Sequence, residues 1–284
     1  MAIARVPAST SNLGPGFDVL GLALSLYVEV EVASADRLVV ESSGAGAELA
    51  RDATHLAARV ATEIAGTDRL FIRVSSEIPI GRGLGSSAAL VAATAAAAGA
   101  PDPLAVAARF DGHAENAAAS CLGGLVAATL LDGEIVARRL PLDPSLSFVA
   151  LIPDRELSTK TARGVLPDEV PFGDAVFNLG RLGLLLAGLS DGAELVTAAG
   201  EDRLHQDARA PLYPEAPVLL RALRDAGAVV SCWSGAGPTL LAICRDLQTA
   251  TRVAERGTQA LVASGLSGRA AVLEPDLEGL RLSS

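Results

Sequence analysis

Residues 79–89, Pro-Ile-Gly-Arg-Gly-Leu-Gly-Ser-Ser-Ala-Ala, constrain this chain more than any other stretch. Glycines at 81, 83 and 85 separate a run rich in Phe, Ile and Val (69–78) from one that is mostly alanine (87–98). The first reads as a strand and the second as a helix. A backbone without Cβ atoms can turn its N–H groups onto an anion, and the following helix adds the positive end of its dipole. Ser86 and Ser87 stand where a hydroxyl can cap the helix or reach a phosphate-bound metal ion. The segment therefore reads as a phosphate cradle, and the chain as one that handles a nucleotide. Two better-known cradles are excluded. A dinucleotide fingerprint needs glycine where Ser86 stands, and a P-loop needs Gly-Lys-Ser/Thr, whereas the one lysine of the chain is Lys160. A glycine-rich strand-to-helix turn capped by serine is the plain structural alternative.

At 284 residues the chain can hold one large domain or two ordinary ones. Half of it is hydrophobic but only 3% is aromatic, so its core must be built from Ala, Leu and Val. A net charge of −10 argues against a nucleic-acid partner. Anionic ligands must then be met locally, by particular arginines or backbone amides. Cys121, Cys232 and Cys244 have no zinc-type spacing and read as small buried apolar residues in a reducing compartment. The first eleven residues lack a signal-peptide core, and the apolar runs 88–98 and 182–189 fall short of the roughly 20 residues that span a membrane. A soluble, cytoplasmic protein with no membrane partner is expected.

The patterning places strands at 3–7, 19–33, 38–42 and 69–78, with a polar loop at 8–16. Helices are expected at 52–65, at 87–98 and from Pro103 onward, followed by a hairpin of 122–129 and 134–140 turned at Asp132-Gly133. A proline-bearing break at 141–147 divides the chain into domains 1–145 and 146–284. Beyond it come a strand at 148–152 and helices at 158–165, 174–188, 217–226 and 247–264. The strands 228–233, 239–244 and 268–273 complete the set. The helix at 174–188 is apolar on most faces, which predicts burial. Hairpins mixed with helices favour an α+β fold with mixed or antiparallel sheets.

Three glycine-bearing segments stand out: Pro7-Ala-Ser-Thr-Ser-Asn-Leu-Gly-Pro-Gly-Phe-Asp18, the cradle, and Ser234-Gly-Ala-Gly-Pro238. In this order and at these separations they resemble the three motifs of the GHMP small-molecule kinases. Residues 79–88 match the family's Pro-x-x-x-Gly-Leu-Gly-Ser-Ser-Ala throughout. Within the family, four segments resemble the homoserine kinase branch: the early segment, Gly112-His-Ala-Glu-Asn116, Ser158-Thr-Lys-Thr-Ala-Arg163, and Asp202-Arg-Leu-His-Gln-Asp-Ala-Arg209. The resemblance covers essentially the whole chain. It implies a two-domain GHMP kinase fold, with an N-terminal half like ribosomal S5 domain 2 and a C-terminal ferredoxin-like sandwich. It also implies a homodimer.

The implied chemistry is phosphorylation of the hydroxyl of L-homoserine by ATP with Mg2+. Nucleotide contacts fall to Pro79, Ile80, Gly81, Arg82, Gly83, Leu84, Gly85, Ser86 and Ser87. Arg163 and Arg209 suit the substrate carboxylate, because a guanidinium fork donates paired hydrogen bonds. Asp18 suits the ammonium, while Asn12, His113 and Asn116 can hydrogen-bond the hydroxyl or hold its neighbours. Thr159 can assist near the γ-phosphate or the substrate. Ser87 and Asp111 stand at the metal-ligand positions, and Asp111 and Asn116 at the catalytic ones. Two residues depart from the branch: Asp111 replaces its usual glutamate, and Glu115 its usual aspartate. Asn116 cannot take a proton at neutral pH, so the resemblance implies direct attack by the hydroxyl. Another small alcohol as substrate, or a nucleotide-binding protein without transfer, are the competing functions.

Overall fold

The computed structural model describes residues 2–283. Strand β1 (Ala2–Asn12) folds back antiparallel on β2 (Gly16–Ser34), with register shifts after Pro7 and Ser11. The alternation read in 27–33 is realised: Val28, Val30 and Val32 are buried and Glu29 faces out. Strand β3 (Val39–Gly44) lies parallel to β4 (Leu70–Ser76), and β4 is antiparallel to β2. Helix α1 (Leu56–Ala65) lies between β3 and β4 in sequence. The alanine-rich α2 (Ser86–Ala97) packs on β1 and β2 with nine of its twelve residues buried. Alanine lets it lie close, so small side chains still make a dense core.

Helix α3 (Pro103–Asp111) starts with the Asp102 carboxylate accepting from Ala105 N–H and stops at Gly112, whose φ of 76° ends the helical path. That break leaves Asp111 as the last residue of α3 and sets His113 as the N-cap of α4 (Ala114–Leu122), which starts immediately after. Strands β5 (Leu125–Leu131) and β6 (Glu134–Leu140) form the expected hairpin, and β5 pairs with the first half of β2.

The second sheet is antiparallel, in the order β10 (Gly268–Leu273), β7 (Ser147–Pro153), β9 (Leu240–Cys244), β8 (Val230–Trp233). Helices α8 (Ala216–Asp225) and α9 (Leu247–Ala263) cover one face, packing on Val149 and Leu151. The alternate residues Phe148, Ala150 and Ile152 face the core of the first sheet, so one apolar layer joins the two. Between β7 and α8 run α5 (Thr159–Gly164), α6 (Phe172–Ser190) and the single turn α7 (Gln206–Arg209). The last strand, β11 (Arg281–Ser283), returns to pair with β1.

Three expectations change. Residues 8–12 are strand rather than loop, because β1 continues under the cradle. The helix expected at 174–188 exists, but it is not buried: Phe172 is 85% and Leu179 68% exposed. Apolar composition alone does not tell a core helix from an uncovered one. The short β11 carried no signal of its own.

Helix α4 is held tightly against β2. A Cβ placed on Gly21 would lie 2.3 Å from the Glu115 carbonyl oxygen. Gly21→Ala is expected to lower stability by about 1–3 kcal/mol, read from urea unfolding, because α4 must move outward.

Candidate active site

The end of β1 lies between the cradle and residues 234–238. Ser9 N–H donates to Leu84 O at 3.2 Å, and Thr239 N–H to Arg82 O at 3.2 Å. The buried Ser234 hydroxyl lies 2.6 Å from Gly83 O, to which it donates, and 2.8 Å from the Thr10 hydroxyl. A hydroxyl has one proton, so Thr10 supplies the hydrogen of the second contact. Gly235 N–H donates to Ser11 O, and the Asn12 amide to Gly235 O at 2.9 Å. No side chain fits at the crossing. A Cβ on Gly83 would come within 2.3 Å of Ser234 O, and one on Gly85 within 2.0 Å of Ser9 Oγ.

Gly81, Gly83 and Gly85 adopt φ of 63°, 73° and 64°. Gly85 itself is the N-cap of α2, and no side chain caps the helix. The serine-capped turn is therefore not what forms. The first turn holds no acidic residue either, so its N–H groups and the helix dipole face the cleft uncompensated. Ile80, Gly81, Gly83, Gly85, Ser86 and Ser87 line that cleft, whose volume is about 200 Å³. Three predicted nucleotide residues do not. Leu84 belongs to the core, Pro79 is absent from the cleft lining, and Arg82 turns back to Ile80 O and to Glu156, 3.4 Å away.

Across the cleft the predicted substrate residues converge: Asn12, Asp18, His113, Asn116, Arg163 and Arg209 all line it, with Asp111 and Thr159. Asn12, Leu13 and Asp18 hold positive φ (72°, 46° and 55°), a cost that non-glycine residues bear where the surroundings fix a special geometry. Asp18 N–H donates to Asn12 Oδ1, and Asp18 Oδ1 accepts from Arg163 Nη2 at 2.7 Å. Arg163 Nε donates to His113 Nε2 at 3.3 Å, so His113 Nδ1 carries the ring proton and faces Asp111 O at 2.9 Å. The Asp111 carboxylate, 3.3 Å from the same Nδ1, raises the His113 pKa. Asn116 donates to Ser11 Oγ and Glu115 Oε1 and accepts from Ser9 Oγ. The carboxylate of Glu115, 2% exposed, has its pKa raised by burial.

Arg209 is the least expected in its setting. It is 2% exposed, and desolvation pulls its pKa down to about 10. Its guanidinium is met by Ala162 O, Gly235 O and His205 Nδ1. Among the described residues no carboxylate forms an ion pair with it. His205 orients it, with Nε2 on Gly14 O at 2.8 Å and the ring stacked on Phe17.

Family models describe the same molecule. The GHMP kinases N terminal domain matches residues 48–131, and GHMP kinases C terminal matches residues 178–263. The homoserine kinase of Moorella thermoacetica is 40% identical, over 87% of this chain and 89% of its own length. That of Streptomyces coelicolor is 43% identical, over 88% and 86%. The chain belongs to the GHMP kinase family. The crystal structure of homoserine kinase from Cytophaga hutchinsonii superposes with a TM-score of 0.86 at 25% identity, covering 99% of this chain and 97% of that one. As a GHMP kinase the protein is an ATP-dependent enzyme acting on a hydroxyl.

Several features of this GHMP kinase site had no sequence signal. The Ser9 and Ser11 hydroxyls hold Asn116. An apolar pocket of about 120 Å³ opens beyond Ser86 and Ser87, between Val28, Leu49, His55, Leu56 and Leu90. His55 caps α1, its Nδ1 accepting from Ala57 N–H. Among the described residues no three His, Cys, Asp or Glu side chains form a metal cage. Ser87, Asp111 and Glu115 offer oxygens to the cleft, which fits Mg2+, an ion that takes one or two protein oxygens and keeps phosphate oxygens and water.

Gly85→Ala is expected to reduce ATP affinity at least tenfold by calorimetry, with circular dichroism unchanged. The added Cβ meets Ser9 Oγ, and φ of 64° costs an L-residue about 1–2 kcal/mol.

Proposed function

We propose that this kinase phosphorylates the side-chain hydroxyl of L-homoserine, giving O-phospho-L-homoserine on the route to threonine. The observation that carries the reading is the buried Arg209 guanidinium, which lines the cleft without an anionic partner beside the Asp18–Arg163 ion pair. A free α-amino acid supplies what is missing. Its carboxylate completes Arg209 and takes Arg163, and its ammonium takes Asp18. The zwitterion thus replaces one ion pair with charge-assisted bonds on both sides. An alcohol bearing only a carboxylate leaves Asp18 unpaired. The curated relatives at about 40% identity support the same substrate.

In this reading residues 1–145 bind the nucleotide and residues 146–284 bring Arg163 and Arg209. The apolar pocket beside His55 receives the base, and the uncapped N-terminus of α2 receives the phosphates. Ser87 and Asp111, with Glu115 beside them, would hold Mg2+, which neutralises charge on the transferring phosphoryl group. The chain's own residues position the rest. Asn116, fixed by Ser9, Ser11 and Glu115, sets the hydroxyl in line, and Thr159 lies at the mouth of the cleft. The oxygen–phosphorus bond forms as the bond to ADP breaks, and the hydroxyl proton passes to the phosphoryl oxygen, since Asn116 takes none. Free amino acid and ATP as substrates suit a cytoplasmic location.

The test is ADP release with Mg-ATP and, in turn, homoserine, serine, threonine, mevalonate or shikimate. Strong release with homoserine alone is expected. Release with another alcohol only would overturn the substrate, and none with any would overturn catalysis. Arg209→Ala should lower kcat/KM for homoserine by about 10²–10³, the effect of removing a buried charged partner, and Arg209→Lys should not restore it.

Acidity should weaken homoserine binding. Protonated His113 loses the Nε2 lone pair that accepts from Arg163 and repels the guanidinium. Its pKa is raised, so KM should climb as pH falls through a titration lying above the ordinary histidine value of 6.5. His113→Gln should flatten that limb.

A further inference from the structure

Helix α6 exposes a face that the protomer does not use. Phe172, Val176, Leu179 and Leu184 stand 85%, 51%, 68% and 43% exposed along it, interleaved with Gly173, Gly180, Gly183 and Ala187. Its two charged residues lie on the opposite side of the helix and are engaged, Asp174 with Arg203 and Arg181 with Glu201. The three glycines are costly inside a helix. Nothing in the protomer calls for them, because a Cβ on Gly173, Gly180 or Gly183 would meet no atom within 4 Å. A residue that is costly locally and idle within the chain points to a contact outside it.

The order of residues identifies that contact. Let two copies of α6 lie antiparallel about a twofold axis passing between residues 179 and 180. Phe172 then faces the partner's Ala187, Val176 the partner's Gly183, Leu179 the partner's Gly180, and Leu184 the partner's Ala175. Every exposed bulky side chain falls opposite a glycine or alanine. A twofold interface requires this reciprocity, since residue i meets j wherever j meets i. Charge agrees. Each copy carries −10, so two copies approach most easily where neither presents charge. The same −10, and the absence of Lys or Arg from the stripe, disfavour an anionic lipid surface, although α6 is long and apolar enough by composition to meet one.

We infer that α6 is the dimerisation helix of this protein, pairing antiparallel with α6 of a second copy in the register that sets Leu179 against the partner's Gly180. The helix is about 28 Å long, and the exposed Val165 and Val170 extend the apolar surface at its N-terminal end. The interface also touches the site's framework. The Asn178 side chain donates to Asp202, whose carboxylate accepts from the N–H groups of His205 and Gln206 at the start of α7, and α7 carries Arg209.

Sedimentation equilibrium on the full chain tests this. The wild type is expected to be a dimer, and Leu179→Arg should raise the dissociation constant at least thirtyfold, the effect of losing a central anchor. Gly180→Leu is the sharper variant. It has room in the protomer and adds apolar surface, so general stickiness would strengthen association, whereas the proposed register requires it to weaken. Circular dichroism and thermal unfolding check that both variants fold. A monomeric wild type, a dimer indifferent to Leu179→Arg, or a dimer tightened by Gly180→Leu would each overturn the proposal. So would wild-type binding to phosphatidylglycerol vesicles that Leu179→Arg abolishes, with no dimer in solution.

Discussion

The Ser234 hydroxyl joins segments 151 positions apart in the chain, donating to Gly83 O while the Thr10 hydroxyl donates to it. Leaving such buried groups unpaired costs about 1–3 kcal/mol each. Its greater effect is geometric. The same crossing holds Gly235, whose carbonyl accepts from both Asn12 and Arg209. One small joint therefore sets the distance between the phosphate cradle, contributed by the first sheet's side of the molecule, and the arginine contributed by the second. The glycines at the joint are steric requirements: their backbones touch where side chains would stand.

A chain of net charge −10 that uses ATP must concentrate its positive potential. It does so with two devices of different kind. At the cradle the charge is a partial one, built from α2's free N–H groups and kept unquenched by a first turn without acids. At the other wall it is a whole charge, a guanidinium held by carbonyl oxygens and a neutral histidine ring in place of a carboxylate. Burial lowers the pKa of His205, which keeps that ring neutral beside Arg209. An acidic partner at that position would have satisfied Arg209 permanently and closed it to a ligand.

What could be read from the sequence follows from how local each requirement is. The cradle was legible because its glycines are needed for positive φ and close approach, and those needs sit within eleven consecutive residues. Arg163, Arg209, Asp18 and His113 were legible only as members of ordered segments; singly, each looks like any surface residue. Ser9, Ser11 and the apolar pocket beside His55 were hidden, because their roles arise from contacts across more than a hundred positions or from space left between elements. The α6 error has the same root. Periodicity reports that a helix is apolar, and only the assembled protomer shows that nothing in it covers that face.

Strand β11 places residues 281–283 against residues 3–5, at the free edge of β1. A ribosome releases the second of these partners long after the first. Until residues 281–283 emerge, the outer edge of β1 offers unpaired N–H and C=O groups to any passing strand. A strand made early is thus protected late, and the growing chain carries an adhesive margin while the roughly 280 intervening positions are made.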